Sequence, residues 1–588
     1  MILQALTSLY EALAPKGEVP KEGWSREKIS FALGIDENGD LLRITPLFKP
    51  GDMPKGKKKE EPQEMTVPAA VKRTSGAAAN FLWDNSSYIL GVSLKKGEDD
   101  AEREKQRNKD IKCFEACREL HHSMLDGMEY PAAKAVLNFL DKWEPQKAEE
   151  NNLVAQYAKE ILSGANMVFR FNGGYVHDDP QLASVWQKAN AKQKDNIGQC
   201  LVTGALDEIQ KTHPTIENVQ GANPAGAALV SFNESAFCSY KKEQNQNAPV
   251  GKYAAFAYTT ALNHLLADKS NVHRIGDASV VCWAENADKQ YEDFAAEVFF
   301  GDNVDKSDEQ RLSALRTSLK LLADGLPCKE MDLDPDRKFY ILGLSPNAAR
   351  LAVRFFYCDS FGKIAGNIYK HHERLEIVRP SYDKFPILPL WKLLSATVNP
   401  NAKDKTPNAA MAGAVARAVF SGGRYPASLL ECTFLRIKAE RNITRERAAI
   451  IKAYYLRNPN EKCPKEVLTV SLNENSKNIP YTLGRLFSVY EEIQQAANPG
   501  INTTIKDRYF GSAAAMPATV FPILSNLAQK HLRKLSDAQR VYLDKKVMTL
   551  KSVLGEQYPA HMSLPEQGSF DLGYYHQTQA RYTKKEDK

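Results

Sequence analysis

Cys113, Cys117 and His121 are spaced four residues apart, so a helix would carry all three side chains on one face. Thiols and an imidazole on one face are the beginning of a zinc site. Zinc, however, usually takes ligand pairs from turns with C-x2-4-C spacing, and no second pair follows. The expected reading is a packed helix face in which the thiols act as small apolar groups. His177-Asp178-Asp179 has the residue types of a metal-dependent phosphohydrolase. That chemistry needs further ligands, and His213, His264, His273, His371 and His372 fall at no recognised spacing. The triplet reads as an acidic turn before Pro180. Asp332-Leu333-Asp334 stands beside Pro335 without an acidic cluster to support it. A phosphate-cradling G-x-x-x-x-G-K-S/T loop and a G-x-S-x-G nucleophile elbow are both missing. These residues point to a protein that is not an enzyme and takes no metal or cofactor. The rival from another class is a metal-dependent nuclease using His177, Asp178 and His213.

A different chemistry recurs. Lys72-Arg73-Thr74-Ser75-Gly76 leads to Asn80-Phe81-Leu82-Trp83-Asp84-Asn85 and on to Gly91. Gly221-Ala222-Asn223-Pro224-Ala225-Gly226 precedes Leu229–Asn233, and Ser239-Tyr240-Lys241-Lys242-Glu243-Gln244-Asn245-Gln246-Asn247 follows. Lysine and arginine hold phosphates, Asn and Gln amides read base edges, and glycine lets a backbone approach a groove. Asn and Gly also simply make turns. For a single loop turn-making suffices; three such loops in one chain put nucleic-acid binding on a par with it. Lys72, Arg73 and Asn80 are the first candidate contacts; Lys241, Lys242, Gln244 and Asn247 are the second.

Several elements must position these loops. Leu3, Leu6, Tyr10 and Leu13 share a helical face. Ile29–Ile35 alternates as a strand, Asn38-Gly39 marks a hairpin, and Leu41–Ile44 returns. Residues 50–70 read as a long exposed loop rich in charge, with Lys57-Lys58-Lys59 near its centre. Residues 98–165 read as helical, and 166–285 as short strands broken by Gly, Asn and Pro. Phe81 to Gly91 reads as one strand. Phe339–Leu344 and Leu351–Phe356 read as buried strands about a turn at Ser345-Pro346-Asn347. Helices follow over Ala409–Phe420, Ala427–Tyr455, Tyr481–Ala497 and Ala518–Lys534, the pattern of a bundle.

The chain has 588 residues, 43% hydrophobic and 26% charged, as expected of a folded multidomain protein. No window approaches the ~18 consecutive apolar residues of a membrane span. Met1–Leu6 has no basic leader, so no secretory signal is read. Nine scattered cysteines suit a reducing, cytoplasmic setting. Residues 401–588 hold 28 Lys and Arg against 17 Asp and Glu, a net +11, leaving −5 for the remainder. A basic module on a near-neutral body fits phosphate contact. Within it Arg417, Arg424, Arg436, Lys438, Arg441, Arg508, Arg533 and Lys534 are candidates for a single-stranded DNA track. Some of these face Glu431, Glu440 or Glu446 as possible ion-pair partners. Tyr454, Tyr455 and Tyr481 are candidates for base stacking, with bundle packing as the alternative role.

The chain resembles the large subunit of the type I-C CRISPR Cascade, the subtype I-C branch of the Cas eight family. The likeness is carried in order by Met1–Leu6, Lys28–Leu33, Asn80–Gly91, Cys200–Gly204, His213-Pro214 and Val230–Asn233. It continues through Asn247–Val250, Leu344–Arg350, Leu483–Phe487, Asn498–Asn502 and Lys506–Phe510. With the pattern of elements it gives the expectation of an α+β protein: a mixed α/β body over 1–375 with a helical insertion at about 98–165, then a helical bundle over 376–588. The resemblance implies a non-catalytic subunit that recognises the protospacer-adjacent motif in target double-stranded DNA, aids R-loop formation and helps recruit a helicase-nuclease. Its other implied partners are CRISPR RNA, held through the complex, and the backbone and small subunits; no membrane is involved. RNA–DNA pairing then reads the target while protein reads only the flanking motif, as in a related effector class. The resemblance further implies a separate small subunit made from about 475–588. Met411 lies too early and Met516 too late to start it, so an alternative start codon is expected. A purely structural assembly scaffold is the remaining alternative.

Overall fold

The computed structural model describes residues 1–50, 60–71, 73, 76–94, 100–191, 196–301, 309–383 and 385–582. The architecture is α+β: among these residues every strand ends at or before Ser360, and helices follow from Phe361. The chain forms two compact units, one of residues 3–214 and 232–261, the other of 215–231 and 262–588. Strands thus give way to helices after Ser360. Compactness groups the residues differently, because the sheet within 273–360 shares one core with the later helices.

In the first unit Phe31–Ile35 and Leu41–Pro46 form the hairpin expected about Asn38-Gly39. Gly39 has φ +82°, and a Cβ there would lie 2.3 Å from the Phe139 backbone nitrogen. Only glycine fits a left-handed turn pressed so closely on a helix. Phe31–Ile35 pairs in parallel with Asn166–Phe171, which also pairs with Trp83–Asn85 and Gly174–Tyr175. A parallel pair needs a long crossover. This one carries the helices Asp100–Leu125 and Pro131–Lys142, whose Phe114, Cys117, Val136 and Phe139 share a core with Leu33, Phe81 and Phe169.

Three readings of this unit change. Residues 60–68 are a strand paired with Trp24–Ile29, not an exposed loop. Val67 is fully buried there, an apolar position hidden among the charges around it. The lysine run 57–59 lies outside the described residues. Within Phe81–Gly91 only Trp83–Asn85 is extended, and Ser86–Ile89 is a helical turn. Asn85 caps it, its Oδ1 accepting the Ser87 N–H at 3.0 Å; Asn-Ser-Ser is a helix start that outweighs the apolar alternation. The helix Lys252–Ala267 stands where only short strands were expected. Ala254, Ala255, Ala257, Tyr258, Ala261 and Leu262 are all fully buried, and the helix offers only a narrow stripe of small or neutral polar residues, Thr259, Thr260, Asn263 and His264, to mark its period.

The second unit holds a four-stranded antiparallel sheet of His273–Ile275, Ala278–Ala284, Lys338–Asn347 and Arg350–Ser360. The last two contain the expected buried strands. They run on through Ser345-Pro346-Asn347, and the turn is Ala348-Ala349, with Ala348 at φ +53°. The helix read as Ala427–Tyr455 is two helices, Ala427–Glu440 and Arg445–Arg457. Arg441 ends the first at φ +52°, and the Thr444 hydroxyl caps the second by accepting the Arg447 N–H. The long helices Ile479–Ala497 and Leu564–Tyr582 meet at two glycines. A Cβ on Gly484 would lie 1.9 Å from the Phe570 carbonyl oxygen, and one on Gly573 2.1 Å from that of Tyr481. No helix among the described residues is long and apolar enough to cross a membrane.

Candidate nucleic-acid interface

Residues 196–213 and 234–251 of the first unit build a frame with little regular structure and many specific hydrogen bonds. A short hairpin pairs Ile197–Gln199 with Leu206–Glu208. The Leu201 N–H donates to the Pro249 carbonyl (2.9 Å), and the Gln210 N–H to that of Val250 (3.0 Å). Asp207 caps the helix Lys252–Ala267 by accepting the Tyr253 N–H at 3.2 Å. A Cβ on Gly251 would lie 2.3 Å from the same carboxylate oxygen, so glycine is needed for this approach. His213 is buried with its Nδ1 2.6 Å from the Tyr258 hydroxyl. Burial pulls the imidazole down to about 4, which leaves it a neutral structural ring near pH 7.

The loop 239–247 stands on this frame. Tyr240, Lys241 and Gln244 all have left-handed backbone, at φ +53°, +60° and +46°. Asparagine amides hold that conformation. Asn247 Oδ1 accepts the Ser239 N–H (2.9 Å), while its Nδ2 donates to the carbonyls of Gln244 (3.0 Å) and Lys242 (3.2 Å). The buried Asn245 donates to the Gln210 and Val250 carbonyls, at 2.7 and 3.3 Å. Glu243 and Gln246 close a reciprocal capping box beneath. Lys241 and Lys242 are exposed, Gln244 is half-buried, and the Tyr240 ring is 94% exposed at the apex. Of the candidates here, then, the lysines face solvent, and Asn247 is engaged by the loop's own backbone. Asn245 and Tyr240 escaped the sequence reading. The signal for Tyr240 was an aromatic residue beside two lysines in a polar stretch.

The first candidate loop is tied inward. Asn80 is buried, its Oδ1 accepting the Val71 N–H at 2.8 Å. Asp84, also buried, accepts the N–H groups of Asn80 and Asn85, both at 2.8 Å, and pairs with the Arg73 guanidinium. Burial nevertheless raises the Asp84 carboxyl above its usual range, against the pull of Arg73. The guanidinium also stacks 4.0 Å above the Tyr88 ring. Arg73 and Asn80 thus anchor this loop to the fold. Lys72 lies outside the described residues.

In the second unit the basic candidates divide. Arg436 pairs with Glu440 (3.8 Å), which also holds Arg447 (2.6 Å). Arg417 donates to the Arg354 carbonyl at 3.1 Å. Arg424, Lys438, Arg508 and Arg533 are exposed. A connected group forms where the end of helix Ala427–Glu440 meets the start of helix Ile505–Ala515. Arg441 donates to the Asp507 carbonyl, and Lys506 to Asn442 Oδ1 at 3.3 Å. Gln494 Oε1 accepts the Ile505 N–H (2.7 Å), and Lys534 reaches Asn498 Oδ1 at 3.4 Å. Arg441 and Lys534 are therefore linked through these contacts, together with Lys506, which the sequence reading missed; Lys438 and Arg508 are near them in sequence. Tyr455 and Tyr481 are buried in the core, Tyr481 hydrogen-bonded to His576 (2.9 Å).

The residues tested for metal chemistry are placed otherwise. Cys113 and Cys117 are buried on one helix face, as is His121. His121 Nε2 accepts the Leu82 N–H (2.9 Å), and Nδ1 lies 2.7 Å from the Cys117 carbonyl, so both ring nitrogens are in use. His177 is buried with neither nitrogen hydrogen-bonded, while Asp179 caps the next helix by accepting the Gln181 N–H (2.9 Å). Among the described residues no group of three or more His, Cys, Asp or Glu side chains is placed to hold a metal ion.

No curated protein matches this chain. A family model described as CRISPR-associated protein (Cas_Csd1) matches residues 6–582, a span that covers almost all of both compact units. The chain belongs to the Cas_Csd1 family of CRISPR-associated proteins.

Proposed function

We propose that this protein is the non-catalytic large subunit of a type I-C CRISPR RNA-guided surveillance complex. In this reading it binds the duplex that flanks the target, recognises the protospacer-adjacent motif, and supports R-loop formation and recruitment of the helicase-nuclease. The observation that carries the reading is the loop 239–247. Its amides hold a strained backbone, and its lysines project into solvent beside an exposed aromatic ring. Backbone strain held in place by surrounding structure clusters at binding sites. Lys241 and Lys242 hold phosphates, and the frame beneath fixes the register of the loop on DNA. The basic neighbourhood about Arg441 and Lys534 carries single-stranded DNA, a sequence-tolerant role suited to cations.

The test is a salt titration of DNA binding by the assembled complex. Each of Lys241→Ala and Lys242→Ala is expected to weaken all flanking sequences about equally and to lower the salt slope by about one. Unchanged affinity and slope in both would contradict the reading and leave an assembly scaffold. Cleavage of DNA by the purified chain with magnesium or manganese, abolished by His177→Ala, would favour the nuclease instead.

A further inference from the structure

Two joined cavities in the second unit take no part in the DNA-binding reading. The smaller is an apolar compartment of about 60 Å3, lined by Val298, Phe299, Leu312, Leu315 and Pro389. The larger is a cleft of about 520 Å3, lined by Arg316, Lys320, Tyr369, Glu373, Glu376 and Arg379. Arg316, Leu319, His372, Pro386 and Ile387 line both, so the apolar compartment opens onto a charged mouth. The helices Glu309–Ala323 and Phe361–Leu375 supply two walls. Residues 385–389 supply a third. It is held by the buried Arg445, whose guanidinium donates to the Phe385 carbonyl and, at 3.1 Å, to that of Pro386. Such a wall is formed before a ligand arrives, so little order remains to be imposed on binding.

Charge at the mouth is unbalanced. Arg445 pairs with Asp383 at 3.0 Å, Glu297 pairs with Arg311, and Glu376 supports the charged form of the buried Lys452. Among the described residues Arg316, Lys320 and Arg379 make no ion pair, and of the carboxylates at the mouth only Glu373 is likewise unmatched. Arg316 and Lys320 stand four residues apart on one helix face. His372 beside them is half-buried, and burial, then the Arg316 charge, pull its imidazole down to about 4. It is therefore neutral near pH 7 and offers one N–H donor.

Size and charge together select the ligand class. A cavity of roughly 150 Å3 takes benzene, so the smaller compartment suits a branched aliphatic group and excludes an aromatic ring or a nucleobase. The adjacent cations suit a carboxylate. A peptide chain fits less well. Among the described residues no strand edge lines the cleft, and Pro386 and Pro389 have no N–H to offer a peptide backbone. We propose that this cavity binds a short branched-chain carboxylate, its aliphatic end among Phe299, Leu312 and Leu315 and its carboxylate on Arg316 and Lys320, with His372 donating to it.

The experiment is a ligand-observed NMR titration of the purified full chain with 4-methylpentanoate and with 4-methylpentan-1-ol, which has the same branched chain and no charge. The acid should bind about tenfold more tightly, the gain from one charge-assisted pairing. Arg316→Ala/Lys320→Ala, confined to exposed side chains, should bring acid and alcohol level. Leu312→Trp, which fills the compartment from a half-buried position, should weaken both about tenfold or more. Lys241→Ala/Lys242→Ala should bind the acid as the unaltered chain does, whatever becomes of the DNA-binding reading. The proposal is overturned if the unaltered chain binds neither compound or both equally. It is overturned as well if the preference for the acid survives Arg316→Ala/Lys320→Ala, or if Leu312→Trp changes nothing. Binding of an acidic peptide bearing leucine, with no binding of the small acid, also overturns it and makes the cleft a docking surface.

Discussion

Lys241 is held at φ +60° by its neighbours' hydrogen bonds, where glycine would be at ease. Replacing it should therefore separate stability from binding. Lys241→Gly is expected to raise stability by up to about 1 kcal/mol, read as a higher Tm, while weakening DNA binding by the assembled complex. Arg73 should behave in the opposite way. Its guanidinium compensates the buried Asp84 carboxylate, so Arg73→Ala leaves that group without its ion-pair partner. A loss of about 3 kcal/mol is expected in denaturant unfolding, the low end for a buried pair because Arg73 is 30% exposed. At this scale the sequence was informative about residue type and poor on direction. Amide-rich loops stood out, but whether Asn80 or Asn247 faces a base or its own backbone depends on chain reversals no local pattern specifies. The exposed lysines were easier to read, because charge that lacks a partner stays in water.

At the scale of elements, two glycines make the sharpest claim. Gly484 and Gly573 bring two long helices to backbone contact, and Cβ atoms there would meet carbonyl oxygens at 1.9 and 2.1 Å. Backbone atoms cannot yield as a flexible side chain does. Gly484→Ala and Gly573→Ala are each expected to cost about 3 kcal/mol or more by forcing the helices apart, seen as a lowered Tm. Elements with strong punctuation were legible in advance: the Asn38-Gly39 hairpin, the helices near 409 and 479, the paired strands near 340 and 355. Those missed share a cause. Glu60–Pro68 hides two apolar positions among charges, and Lys252–Ala267 is largely apolar with only a narrow polar stripe. Ala427–Tyr455 looked continuous because the break at Arg441 uses no glycine or proline.

For the molecule as a whole, ionisation of buried groups sets a pH window. Burial pulls His121, His213 and His372 to about 4 and His576 to about 3, and holds His371 well below its usual value. These rings are neutral in the fold and take up protons near 6.5 once unfolded. Between about pH 6.5 and 4 the unfolded chain therefore binds more protons, and stability must fall as pH falls through that window. Tm is expected to drop steadily from pH 7 to pH 5, and His576→Gln should make the decline shallower. Asp571 acts in the reverse sense. Burial raises its carboxyl well above the usual range, so its ionisation on unfolding draws stability away as pH rises above about 4. Asp571→Asn should therefore raise Tm more at pH 8 than at pH 4. The family was readable from blocks spread along the chain, and the α+β class from its changing periodicity. The division into compact units was not, because it follows contacts between segments far apart in sequence.

The central claim is that this chain reads the duplex beside the target, and one binding series tests it most directly. The assembled complex is titrated with double-stranded targets that differ only in the flanking base pairs, with the chain unaltered or carrying Lys241→Ala/Lys242→Ala. The unaltered complex should prefer one flanking sequence by about tenfold or more, the discrimination of one good base contact, and the double variant should lose affinity for every target while keeping the order of preference. Equal affinity for all flanking sequences, unchanged by the double variant, would contradict the claim.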